Sequence, residues 1–88
     1  MHRYIPNLFF FIDQYDDQIF KSNIANIGII YRNYNNAKKE RDLIKVKKQC
    51  NKKNYQLYVS NNIKLALKVK ADGIYIPAFS KLSKFKKP

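Results

Sequence analysis

Tryptophan is absent from this 88-residue chain, cysteine and methionine occur once each, glycine twice and proline three times. A lone cysteine, Cys50, cannot form an internal bridge, which excludes the disulfide-stapled secreted class and fits a reducing compartment. Long hydrophobic runs are missing too. Leu8-Phe9-Phe10-Phe11-Ile12 follows a basic start but stops at Asp13, short of the roughly 7 to 15 residues of a secretory core and far short of the ~18 of a membrane helix. No small-residue cleavage site follows, so the expectation is a soluble cytoplasmic protein with no membrane partner. Carboxylates are the other scarcity: 6 Asp and Glu against 18 Lys and Arg, for a net charge of +12.

The chain is long enough for one small domain and no more, and it buries only about 60 to 65% of its unfolded surface. Its basic excess attracts phosphates, nucleic acid or anionic lipid. Against a dedicated nucleic-acid surface stand the preponderance of lysine over arginine and a composition more than half Lys, Asn, Ile, Tyr and Phe. Groove readers favour arginine for bidentate contacts, and residues with A/T-rich codons accumulate by genomic drift without any polyanion partner.

Read by period, short apolar runs rich in β-branched and aromatic residues alternate with amphipathic segments. The runs are Leu8 to Ile12, Ile27 to Tyr31, Tyr55 to Val59 and Gly73 to Ile76. Several are almost continuously apolar, and no hairpin pair such as Asn-Gly separates them, so they read as parallel strands covered on both faces. The best helix runs from Ala37 to about Lys53, capped by Asn36, with Ala37, Leu43, Val46 and Cys50 near one stripe. A shorter one runs from Ile63 to Lys70 behind Asn61 or Asn62, with Ile63, Ala66 and Leu67 inward, and Asp16 can cap one or two turns through Lys21. The expected fold is α/β, a parallel β-α-β-α-β-α-β over residues 1–79 with a basic tail over 80–88. With sequential strands, right-handed crossovers place every helix on one side, as in a growing (β/α) barrel, and leave the other side bare; a doubly wound sheet with reversed strand order would avoid this.

Three stretches carry a family resemblance: Ile29-Ile30-Tyr31-Arg32, Tyr58-Val59-Ser60-Asn61-Asn62-Ile63-Lys64-Leu65-Ala66-Leu67, and Lys70-Ala71-Asp72-Gly73-Ile74-Tyr75-Ile76-Pro77. Together they resemble the thiamine phosphate synthase and TenI-type family, (β/α)8 barrels whose patterns here read Q-x-R-x-K, N-D-x-x-x-L-A and A-D-G-V-H-L. The resemblance implies half of a TIM barrel. It also implies a role in thiamine biosynthesis, where the family joins hydroxymethylpyrimidine diphosphate to thiazole phosphate with release of diphosphate.

What the resemblance implies for individual residues is uneven. Arg32 matches the family's arginine and could clamp a diphosphate in bidentate fashion. Ser60 and Asn61 stand where the family has its asparagine and metal-binding aspartate, and are the other substrate-binding candidates; their plainer role is capping the next helix. Ile30 replaces the glutamine that meets the pyrimidine, Tyr34 a phosphate-binding lysine, Tyr75 a histidine, and Ser80 the second metal aspartate. Magnesium prefers carboxylates, so the family's metal is expected to be lost and no cofactor is assigned. Asp72 and Gly73 read as a tight turn, Tyr75 as packing, and Cys50 as a small core hydrophobe.

No catalytic residue is assigned. The expectation is a truncated or divergent relative, inactive alone, that binds a phosphorylated small molecule and self-associates or meets a missing carboxyl-terminal half. The alternative is a small basic module whose Lys45, Lys47, Lys48, Lys52, Lys53, Lys81, Lys84, Lys86 and Lys87 engage RNA or an anionic surface, with Tyr and Phe stacking on bases.

Overall fold

The computed structural model describes residues 6, 8–21, 24–32 and 39–85. Four strands, β1 (Leu8–Ile12), β2 (Ile27–Tyr31), β3 (Gln56–Ser60) and β4 (Gly73–Ile76), pair in chain order and all in parallel. Between them lie α1 (Asp17–Phe20), α2 (Lys39–Lys53) and α3 (Ile63–Lys68). The third strand starts one residue later than its apolar run suggests. Tyr55 donates its backbone N–H back to the Cys50 carbonyl at 2.9 Å, and Asn54 takes a left-handed φ of 62°, so both residues close α2 before the strand begins. Ala37 and Asn36, expected at the start of α2, lie outside the described residues.

A fifth strand, β5 (Lys81–Lys84), lies in the stretch that reads as a basic tail, and it pairs antiparallel with β4. A 3-10 turn, Pro77–Phe79, and Ser80 with φ 47° reverse the chain, and the Phe85 N–H donates to the Asp72 carbonyl at 3.0 Å. The short Lys-Leu-Ser-Lys run has none of the β-branched or aromatic residues by which strands are recognised. Gly73 belongs to this pairing. It has no positive φ; instead a Cβ there would collide with the Ser83 carbonyl oxygen, so the absence of a side chain lets β5 close on β4. Asp72 likewise bridges strands, accepting from the Leu57 N–H at 2.8 Å while its own N–H donates to the Leu57 carbonyl at 2.8 Å.

The helices cover one face of the sheet. Ile27, Ile29 and Tyr31 of β2 and Leu57 and Val59 of β3 meet Leu43, Val46 and Cys50 of α2 and Leu65 and Ala66 of α3 in one buried cluster. Asp42 ties this side together, accepting from the Tyr15 N–H at 2.7 Å and the Tyr31 hydroxyl at 3.0 Å. The α3 stripe differs from the expected one: Ala66 is inward, but Ile63 and Leu67 are 54% and 58% exposed. Leu65 and Val69 take the inner positions, because the Asn62 cap sets the first turn and Ala71 must follow directly into the core. No helix among the described residues is long and apolar enough to cross a membrane.

The opposite face is concave and lined by rings. Phe11 of β1 and Tyr75 of β4 meet edge to face with centroids 5.4 Å apart, and Phe9 of β1 meets Tyr58 of β3 at 6.3 Å. In a flat sheet β1 and β4 would stand about 14 Å apart, so these rings converge because the strands curl. Gly28 makes room in the middle: a Cβ there would run into the Phe9 ring. Ile30 and Tyr58 are thereby almost wholly buried although no helix covers them.

Candidate anion site at the carboxyl ends of the parallel strands

The register fixes what stands at the mouth of the concave face. Ile12, Tyr31, Val59 and Ile74 form one row across the four parallel strands. The next row is Asp13, Arg32, Ser60 and Tyr75, and alternation turns it away from the helices. The ladder continues through it, with the Arg32 N–H donating to the Ile12 carbonyl and the Asn61 N–H to the Tyr75 carbonyl, both at 2.9 Å. Arg32, Ser60 and Asn61 therefore end adjacent strands at one rim.

Arg32 is held from two directions. Its Nε lies 3.6 Å from Asp13 Oδ1, and its Cζ lies 4.9 Å from the centre of the Phe11 ring. The ring takes up one face of the guanidinium and steers it over the mouth. Arg32 is about half in water and Asp13 mostly so, 47% and 71% exposed, so the pair is weak and an incoming anion can displace the carboxylate. Asp13 was not a candidate by sequence, where it only ends the first apolar run; the signal was its position after β1, matching that of Arg32 after β2.

Ser60 is buried at the end of β3, whereas Asn61 is exposed and takes φ 54°. Neither caps α3. That role belongs to Asn62, whose Oδ1 accepts from the Leu65 N–H at 3.0 Å. Asn61 instead supplies the left-handed residue that turns the chain out of the strand, a conformation asparagine tolerates. Ser80 lies on the turn before β5. Tyr75 packs on Phe11, and Tyr34, Lys86 and Lys87 lie outside the described residues.

The donor set at this rim does not fit magnesium. Its one carboxylate, Asp13, already faces a guanidinium, and Ser60, Asn61 and Ser80 offer neutral oxygens. Among the described residues no three His, Cys, Asp or Glu side chains cluster as a metal site would need. The rim presents one accessible guanidinium, the exposed Asn61 amide and an aromatic floor, with Ser60 buried behind them.

The basic side chains of the alternative reading divide. Lys45, Lys48 and Lys52 are exposed on α2, Lys47 and Lys53 are half-buried on its flanks, and Lys81 and Lys84 sit on β5. Cys50 is far from any such chemistry: burial pushes its thiol up to about 12. No protein-family model matches the chain, and no curated protein or solved structure is significantly similar to it.

Proposed function

We propose that this protein is a divergent, half-barrel relative of the thiamine phosphate synthase and TenI-type proteins that binds a phosphorylated small molecule at the rim of its concave face and does not carry out the coupling reaction alone. The observation that carries the reading is Arg32, set on the Phe11 ring at the carboxyl ends of four sequential parallel strands, where ligands gather in such sheets. Arg32 would take the phosphate oxygens, with Ser60 and Asn61 as neutral partners. A thiamine-pathway ligand rests on the sequence resemblance; the anion chemistry rests on the rim.

Calorimetric titration with inorganic diphosphate and with hydroxymethylpyrimidine diphosphate, each with and without magnesium, tests this. Binding independent of magnesium, weakened at least about tenfold in Arg32→Ala as expected for a lost charge-assisted bond, supports it. Undiminished binding in that variant, or none in the parent, defeats it. Asp13→Asn removes the competing carboxylate and should tighten the same titration.

Self-association belongs to this reading. β5 occupies the outer edge of β4, so among the described residues the remaining edge of the parallel strands is β1. The Ile12 carbonyl faces β2, hence alternation turns the backbone groups of Phe9 and Phe11 outward. This strand has no charged residue, whereas β5 carries Lys81 and Lys84, the usual guard on an edge. A second copy paired about Phe10 would set Phe9 against Phe11 twice and keep like faces together.

A further inference from the structure

The six carboxylates of the chain all fall among the described residues, and each is engaged within the molecule. Asp13 faces Arg32, and Asp16 accepts from the Gln18 N–H. Asp17 is hydrogen-bonded to the Tyr15 side chain. Glu40 pairs with Lys68 at 3.1 Å, Asp42 holds Tyr15 and Tyr31, and Asp72 holds Leu57.

The two acids of α2 are thus drawn to its sides. Opposite the buried row of Leu43, Val46 and Cys50, the helix presents Arg41, Lys45, Lys48 and Lys52, all exposed. Steps of four, three and four residues keep them on one line about 16 Å long. No carboxylate interrupts that line, and among the described residues none of its four cations is drawn into an ion pair.

From this we infer that the outer stripe of α2 is a docking track for the phosphate backbone of duplex nucleic acid. The apolar face of α2 is consumed by the core, which leaves nothing to sink into a lipid surface; only Ile44 breaks out beside the stripe. The stripe carries no aromatic ring on which an unpaired base could stack, so it suits a form that keeps its bases inside and its phosphates outward. Three of the four cations are lysines, point charges that hold phosphates without reading bases, and the track is therefore indifferent to sequence. It lies on the helix layer, on the far side of the sheet from the concave rim, and does not depend on the ligand proposed there.

Fluorescence anisotropy with a labelled mixed-sequence duplex of about 20 base pairs, over a range of salt from 50 to 200 mM, reads the contact number directly. Four phosphate contacts give a slope of log K against log salt of about −3.6, or roughly a hundredfold loss across that range. Lys45→Gln/Lys48→Gln/Lys52→Gln should reduce the slope to about −1. A charge-matched control, Lys21→Gln/Lys70→Gln/Lys81→Gln, removes the same charge from exposed positions off the helix and should leave the slope as it was. Thermal unfolding of both variants establishes that they are folded. An equal drop in the control, no duplex binding at 50 mM salt, or binding to phosphatidylserine vesicles with the duplex ignored would each overturn the inference.

Discussion

Cys50 shows how far a single residue's environment can be carried into a measurement. Its thiol is fully buried, and desolvation raises its ionisation from an ordinary 9.0 to about 12. Tyr55 shifts the same way, by burial and then by the neighbouring Cys50, and Tyr15 through its hydrogen bond to Asp17. A raised folded-state value means that the unfolded chain loses its proton first. The stability linked to Cys50 is therefore complete below about pH 9 and drains away between 9 and 12. Urea midpoints should stay level to pH 9 and then fall, and Cys50→Val, of similar volume, should fall less steeply; an identical alkaline limb would mean that the thiol takes no part. The same burial predicts slow alkylation of the native protein. The two glycines give a second contrast at this scale. Gly73→Ala forces a methyl group into the backbone of β5, which cannot yield without losing the strand, whereas Gly28→Ala meets the Phe9 ring, which can turn aside. Overpacking costs about 1 to 3 kcal/mol, with Gly73→Ala expected at the top of that range and Gly28→Ala at the bottom in chemical denaturation.

At the scale of elements, what could be read in advance followed the apolar signal. Three strands begin and end where their runs do, because Val, Ile, Tyr and Phe concentrated between polar segments leave little choice of boundary. The inner row of α2 was equally plain at Leu43, Val46 and Cys50. β5 was hidden because its pairing depends on a missing side chain at Gly73 and a reversal at Ser80, both several residues away and neither marked by strand-forming residues. The stripe of α3 is not legible in the sequence because six residues make less than two turns, too few for periodicity to fix which apolar residues face inward. Arg32, Ser60 and Asn61 are picked out in the sequence by their match to a family's motif positions, but Asp13 and Phe11, which hold the arginine, become visible only in the register. Two substitutions test the ties between elements. Asn62→Ala should cost about 1 kcal/mol through the lost α3 cap. Asp42→Ala leaves the Tyr15 N–H and the Tyr31 hydroxyl without their acceptor and should cost about 1 to 3 kcal/mol.

For the whole molecule the decisive asymmetry is between its two faces and its two edges. Sequential parallel strands send every crossover to one side, so among the described residues the sheet's other side is covered by its own converging rings and by Pro6 beside Gly28. Pairing through β1 predicts a sedimentation profile that shifts from monomer to dimer with concentration, and Phe10→Lys, which places like charges on the two-fold axis, should hold the protein as a monomer. A profile that ignores the substitution would assign the dimer to another surface. The backward course of Lys81–Lys84 has an architectural meaning of its own. A ribbon of parallel strands can in principle be extended at either margin, but here one margin ends in a strand of opposite sense. Joining a second repeat after the last residue would not prolong the curve until that strand was peeled away. Among the described residues, the margin that offers a further strand a parallel neighbour is Leu8–Ile12, so the sheet can extend its parallel curve from that end.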